Sequence, residues 1–226
     1  LGQLASGIAH DINNSLAPIL GYSDLLSREI KDEKIAKKLS IIKTASLDIK
    51  KTIEHLREFY RPKYDEDTFD MVNLNQIINS ALELTISRWK TIPESQGKKI
   101  DIITNLQNDL LLIKGNESQL RECYTNMIIN ACDAMNNNGT LTINTFTKNG
   151  KIFSEIIDTG IGMDEETLSH CFEPFYTTKG KKGTGMGLSM VYGIIKRHDG
   201  EIIAESEIGK GTKFTLIFPI NYKTTF

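Results

Sequence analysis

Apolar residues recur through the first sixty positions with the four-three rhythm of helices that pack on other helices. In the second of two such runs, Ile35, Leu39, Ile42, Ser46, Ile49, Ile53, Leu56 and Tyr60 follow one another at intervals of 4, 3, 4, 3, 4, 3 and 4. The first run, Leu1, Ala5, Ile8, Ile12, Ser15, Ile19, Tyr22 and Leu26, keeps the same intervals. Such a repeat holds one seam against a neighbouring helix. The polar turn Lys31-Asp32-Glu33 between the runs predicts an antiparallel hairpin. One hairpin cannot cover both seams fully, so two chains are expected to pair into a four-helix bundle. Pro18 removes a backbone donor and predicts a bend in the first helix.

From about residue 70 the pattern changes to helices mixed with alternating strands. The junction, Arg61-Pro62-Lys63-Tyr64-Asp65-Glu66-Asp67, is polar and carries a helix-stopping proline. Asn73 is expected to cap a helix from about Leu74 to Trp89. Strands are expected over Lys99–Leu106 and Leu110–Lys114, then a long helix over Asn116–Met135 with the apolar stripe Leu120, Tyr124, Met127, Ala131 and Met135. Thr140–Thr147 and Lys151–Ile157 read as a hairpin across Asn149-Gly150, a type I′ signal. A loop-rich stretch runs to Gly187, followed by a helix over Leu188–Arg197. Glu201–Glu205 and Lys213–Pro219 form a second hairpin. Helices set between antiparallel strands predict a two-layer α/β sandwich rather than a doubly wound sheet. The domain division is 1–61, 62–70 as linker, and 71–226.

Composition narrows the function classes. Among 226 residues, Lys+Arg (27) and Asp+Glu (29) nearly balance, for a net charge of −2, so there is no global basic field for nucleic acid or an acidic membrane. No apolar run reaches the ~18 residues of a bilayer span, and no signal peptide is visible. The three cysteines, Cys123, Cys132 and Cys171, form neither a disulfide framework nor a zinc motif, and read as buried reduced thiols of a cytoplasmic protein. The chain opens at Leu1 inside a helical pattern, which points to a piece of a longer protein whose parent is anchored in a membrane or not.

Three features carry candidate chemistry. On the long helix, Asn126, Asn130 and Asp133 fall within ~40° of one another, a short polar row able to order a divalent cation through oxygens or simply a solvated face. Asp158-Thr159-Gly160-Ile161-Gly162 ends a strand. Its carboxylate can accept from an exocyclic amine while the glycines admit close approach; an ordinary Asp-Gly turn is the plainer reading. Gly183-Thr184-Gly185-Met186-Gly187-Leu188 leads into a helix, as a phosphate cradle of backbone N–H groups does, or as a flexible loop does. The basic run Lys179-Gly180-Lys181-Lys182 abuts it.

The order of these elements resembles the sensor histidine kinases of two-component signalling over nearly the whole chain. Ala9-His10-Asp11-Ile12-Asn13-Asn14-Ser15-Leu16 is similar to that family's phospho-acceptor box. Asn126-Met127-Ile128-Ile129-Asn130-Ala131-Cys132-Asp133-Ala134 is similar to the N box, and Asp158 to Met163 to the first glycine box. Phe172-Glu173-Pro174-Phe175-Tyr176-Thr177-Thr178-Lys179 is similar to the F box, and Gly183 to Leu188 to the second glycine box.

The resemblance implies a Bergerat-type (GHKL) ATP-binding sandwich behind a dimeric phosphotransfer hairpin, with ATP and Mg2+ as cofactors and a homodimer and a response regulator as partners. It implies that His10 takes the γ-phosphoryl group, that Asp11 accepts the Nδ1 proton, and that Asn14, one turn on, positions water for dephosphorylating the regulator. Asn130 would hold magnesium with Asn126 assisting, and Asp133 would belong to the nucleotide site. Asp158 would read adenine beside Gly160 and Gly162. Lys179, Gly183, Thr184, Gly185, Gly187 and Leu188 would close on the phosphates, while Phe172 and Phe175 would pack. Relatives that hydrolyse ATP carry Glu where Asn126 stands, and an amide cannot act as a carboxylate base. The rivals are thus an ATPase of the same superfamily and a non-enzymatic dimeric scaffold. His55, His170 and His198 read as structural or surface residues. Transfer between the two domains requires the Pro62 junction to permit movement.

Overall fold

The structure, a computed structural model, describes residues 2–30, 32–60, 69–135, 138–180 and 183–220, with the side chains of all these but 2–10, 51 and 55–60. The junction around Pro62, Lys181 and Lys182, and the side chains of His10 and His55 lie outside the described residues. The chain divides into two compact units, Leu1–Pro62 and Lys63–Phe226.

The first unit is a hairpin of α1 (Gly2–Glu29) and α2 (Glu33–Tyr60). Asp32 starts α2, its Oδ1 accepting from the N–H groups of Lys34 and Ile35. Helix α1 continues through Pro18. Leu16 and Ser23 on α1 and Leu39 and Ser46 on α2 are buried in the hairpin. On α2 the expected seam holds only at Leu39 and Ser46, while Ile35 and Ile49 stay 42% and 48% exposed. On α1 it falls one residue later than expected, because apolar side chains flank the seam on both sides and the small Ser23 allows the closer approach. Tyr22, Ile19 and Ile42 stay 68%, 44% and 46% exposed.

In the second unit, β2 (Ile100–Leu106), β4 (Gly139–Lys148), β5 (Lys151–Asp158), β7 (Gly211–Pro219) and β6 (Glu201–Glu207) form one sheet in the order β2-β4-β5-β7-β6. Strand β2 runs parallel to β4 and the remaining pairs are antiparallel. Asn149 and Gly150 turn β4 into β5 with φ of 52° and 71°, the type I′ geometry their sequence predicts. A separate pair, β1 (Asp70–Val72) with β3 (Ile113–Gly115), was not expected at its first strand. Asp70, the last residue of the expected linker, pairs there with Gly115.

Helices α3 (Leu74–Leu84), α5 (Glu117–Ala134) and α7 (Gly187–Arg197) supply the buried layer. Leu120, Tyr124, Met127, Ala131 and Met135 are buried with Leu141, Ile143, Ile152 and Ile156 of the sheet, as the alternation and the helical stripe require. Helix α3 stops short of Trp89. Thr85, the residue that follows the helix, turns its hydroxyl onto the Ala81 carbonyl. The chain instead makes a π-turn over Ser87–Thr91 and the short α4 (Ile92–Ser95), with Trp89 Nε1 donating back to Leu82 O at 3.0 Å. Helix α6 (Glu165–His170) lies in the stretch expected to be loop; Asp164 caps it by accepting from Thr167 N at 2.7 Å.

His198, 4% exposed, is structural with definite partners. Its Nδ1–H donates to Ile194 O at 2.8 Å and its Nε2 accepts from Asn116 N at 3.0 Å, fixing the neutral tautomer at the start of α5.

Candidate functional site

The buried stripe of α5 fixes the rotation of that helix, and with it the direction of its polar row. Asn126 donates from Nδ2 to Glu122 O at 2.9 Å. Its oxygen faces the start of α7: a β-carbon built on Gly187 would lie 3.7 Å from Asn126 Oδ1 and 3.5 Å from Asn130 Nδ2. Any larger residue than glycine at this place brings a side chain against both amides. Asn130 Oδ1 accepts from Lys179 Nζ at 3.2 Å, and the same ammonium meets Asp133 Oδ2 at 2.9 Å. Asp133 Oδ1 is held by Arg88. The sequence predicted Asn126, Asn130 and Asp133 on one face, and Lys179 bridges the last two. Arg88 was missed. It lies 45 residues before Asp133, on a turn that periodicity did not foresee.

Asp158 ends β5 and is 5% exposed. Its Oδ1 accepts from Gly160 N at 2.8 Å. Burial pushes its carboxyl above the ordinary value, offset in part by the N–H groups of Gly160 and Thr212. Gly160 packs on the end of α5, where a β-carbon would come 2.7 Å from that of Ala134, and Ile161 N donates to Ala134 O at 3.1 Å. The N box and the first glycine box are therefore one wall.

Gly162 turns at φ +69°, and a β-carbon there would sit 2.0 Å from the Glu207 carbonyl oxygen. Gly209 N donates to Ile161 O at 2.7 Å, which ties this turn to the β6–β7 hairpin. Gly162→Ala is expected to combine left-handed strain with a backbone collision and to lower the unfolding temperature of this unit by more than ~10 °C. Gly150→Ala meets the same sign of φ but no atom within 4 Å, and should cost only about 1 kcal/mol. Thermal unfolding of the two variants side by side checks the contrast.

The F box folds onto the second glycine box. Phe175 N donates to Gly185 O at 3.0 Å. A β-carbon on Gly185, at φ +66°, would meet the Phe175 backbone at 2.3 Å, and one on Gly183 would meet Thr177 Oγ1 at 2.2 Å. Thr184 Oγ1 accepts from Met186 N at 3.4 Å, and Leu188 packs against the core from the first turn of α7. Phe172 packs with Tyr192 and Phe214, as expected. Phe175 does not pack: at φ 68° its ring is 56% exposed, because the strained backbone that meets Gly185 turns the side chain outward. In the hairpin, Asp11 and Asn14 are exposed on α1, with Ser15 Oγ donating to Asp11 O.

Two amide oxygens, a buried carboxylate and a glycine-framed helix start on one sandwich define a nucleotide-binding domain of the GHKL kind. Residues 115–222 match the family described as "Histidine kinase-, DNA gyrase B-, and HSP90-like ATPase", and residues 1–64 match the "His Kinase A (phospho-acceptor) domain". The signal transduction histidine-protein kinase AtoS of Escherichia coli is 34% identical over 224 residues, which cover 98% of this chain and 35% of that protein. The crystal structure of full-length ShkA in complex with AMPPNP has the same fold over 97% of this chain and 46% of that one, with a TM-score of 0.80 at 20% identity. The crystal structure of the histidine kinase ThkA in complex with the response regulator TrrA aligns over 99% of this chain and 63% of that one, with a TM-score of 0.63 at 23% identity. The chain belongs to the sensor histidine kinases. It spans about a quarter to a half of the length of the curated relatives it matches. Among the described residues, no helix is long and apolar enough to cross a membrane.

Proposed function

We propose that this chain transfers the γ-phosphoryl group of ATP to His10 and passes it to an aspartate of a response regulator. The observation that carries the reading is the convergence of Asn126, Asn130 and Gly187 at the start of α7, on the same sandwich as the buried Asp158. Residues 1–61 are taken as the phosphotransfer hairpin, 62–70 as the linker and 71–226 as the ATP-binding domain.

Asp158 offers its second carboxylate oxygen to the exocyclic amine of adenine, while Gly160 and Gly162 keep that wall flat. The N–H groups at Gly183, Thr184, Gly185 and Gly187, with Leu188 behind them, are assigned to the phosphates. Asn130, with Asn126, would hold Mg2+. The fit is supported by Lys179, whose ammonium stands in as a cation on Asn130 Oδ1. Among the described residues no group of three or more His, Cys, Asp or Glu gathers, so phosphate and water would complete such a shell. The ion would supply neutralisation of phosphate charge. His10 Nε2 forms the new N–P bond as the bond from the γ-phosphorus to the bridging oxygen breaks and ADP leaves. Asp11 takes the Nδ1 proton. Asn14 is assigned the water that removes the phosphoryl group from the regulator, an activity read from decay of the phosphorylated regulator with and without Asn14→Ala.

The exposed Ile19, Tyr22 and Ile42 support a homodimer. Light scattering is expected to give twice the chain mass, and Tyr22→Glu with Ile42→Glu to give the single mass. A single mass for the unaltered chain at micromolar concentration rejects the dimer.

Incubation with γ-labelled ATP tests the reaction. Acid-labile, base-stable label on the protein means a histidine kinase. Free phosphate without protein label means an ATPase, and neither means a scaffold.

A further inference from the structure

Three charged side chains from three separate stretches meet beside Asn130. Asp133 takes Arg88 on Oδ1 and Lys179 Nζ on Oδ2, the latter at 2.9 Å. The same Nζ donates to Asn130 Oδ1 at 3.2 Å. Arg88 comes from the π-turn Ser87–Thr91, a form of helix that is rare and concentrates at functional sites. The side chains of Arg88, Asp133 and Lys179 are 40%, 31% and 39% exposed, so the network is only partly shielded and its partners can exchange.

We propose that Lys179 is an internal cation plug. Without nucleotide its ammonium occupies the cation position at Asn130, anchored by Asp133, and Arg88 weakens that anchor by competing for the same carboxylate. The inference rests on reading Asn130 as the magnesium residue of a nucleotide site. An amide oxygen that faces an ammonium at 3.2 Å takes a divalent cation only by forcing two positive charges together. The plug must therefore leave before magnesium and nucleotide load. Apparent affinity falls by the fraction of molecules that are plugged. Asp133 then opposes loading, which is the reverse of the nucleotide contact the sequence implied for it. Arg88 draws on the carboxylate charge, and without it that charge is left to Lys179 alone.

Calorimetric titration of the full chain with AMPPNP tests this. In excess magnesium, Asp133→Asn is expected to bind about fivefold more tightly, the value for a plug in place about four-fifths of the time. Arg88→Gln is expected to bind about threefold more weakly. The double variant should match Asp133→Asn alone, since without the carboxylate Arg88 has nothing to compete for. With magnesium chelated, the gain from Asp133→Asn should shrink below about twofold, because nothing then claims the Asn130 oxygen. Weaker or unchanged binding by Asp133→Asn, or an additive double variant, overturns the plug. If Asp133→Asn loses its thermal transition, Asp133→Ser carries the same expected sign. An unaltered chain that binds no AMPPNP overturns the nucleotide reading beneath it, a result distinct from any ranking of the variants.

Discussion

A chain in which His10 is replaced by Ala is expected to take no label from γ-labelled ATP while binding AMPPNP within about twofold of the unaltered affinity. The two halves of that expectation separate the acceptor from the nucleotide site. His10 lies on α1, in the unit Leu1–Pro62, whereas Asp158, Asn130 and the glycine turns all belong to Lys63–Phe226. Removing the nucleophile leaves nothing to form the N–P bond, and Asn126, standing where hydrolytic relatives carry Glu, offers no base to activate water instead. Loss should therefore be complete rather than partial, without a rise in free phosphate. Mixing this variant with Asn130→Ala adds a second reading: label that returns only in the mixture means that one chain phosphorylates the other. Label retained by His10→Ala places the acceptor elsewhere.

Asp158→Asn is expected to weaken AMPPNP binding by about 100-fold or more with little change in folding. The amide keeps an oxygen for the N–H of Gly160, so the turn survives. The other atom becomes an NH2 group that points a donor at the donor of adenine. A charged hydrogen bond left unmade in a buried site costs roughly 2–3 kcal/mol, and the opposed donors add to it. The acidity of Asp158 gives the same site a pH dependence. Burial holds its carboxyl above the usual 3.8, so the folded chain favours the protonated form. Its contribution to stability is full below the unfolded value and is lost as pH rises through the raised one. Recognition of the amine needs the carboxylate and runs the other way. Affinity for AMPPNP should fall as pH drops through the raised value, and so above the pH at which an exposed aspartate titrates. Titrations over a series of falling pH on the unaltered chain and on Asp158→Asn check it, the variant showing no such fall.

Helix-forming rhythm, turn chemistry and the order of motifs are local properties of a chain, and these were legible. The four-three spacing announced two helices before any partner was known. Asn149-Gly150 announced a hairpin because only residues that accept positive φ make that turn. The stripe from Leu120 to Met135 announced which side of α5 is buried, and so which side carries Asn126 and Asn130. Helix α6 was missed although Asp164 and Thr167 carry a readable cap, since six residues are too few for a period to show.

The sequence by itself determined the two units, the sandwich and the identity of the motif residues, because each depends on neighbours a few positions apart. Which stripe of α1 meets α2 was decided only by packing, where small Ser23 and Ser46 admit closer contact than Tyr22. The break after Leu84 was decided by the Thr85 hydroxyl turned onto the Ala81 carbonyl and by a tryptophan bond reaching back to Leu82. The meeting of Arg88, Asp133, Lys179 and Asn130 was likewise beyond sequence. Their charges are separated by 45 and 46 residues, and a Coulomb interaction depends on distance in space, which only the folded sheet and helices supply.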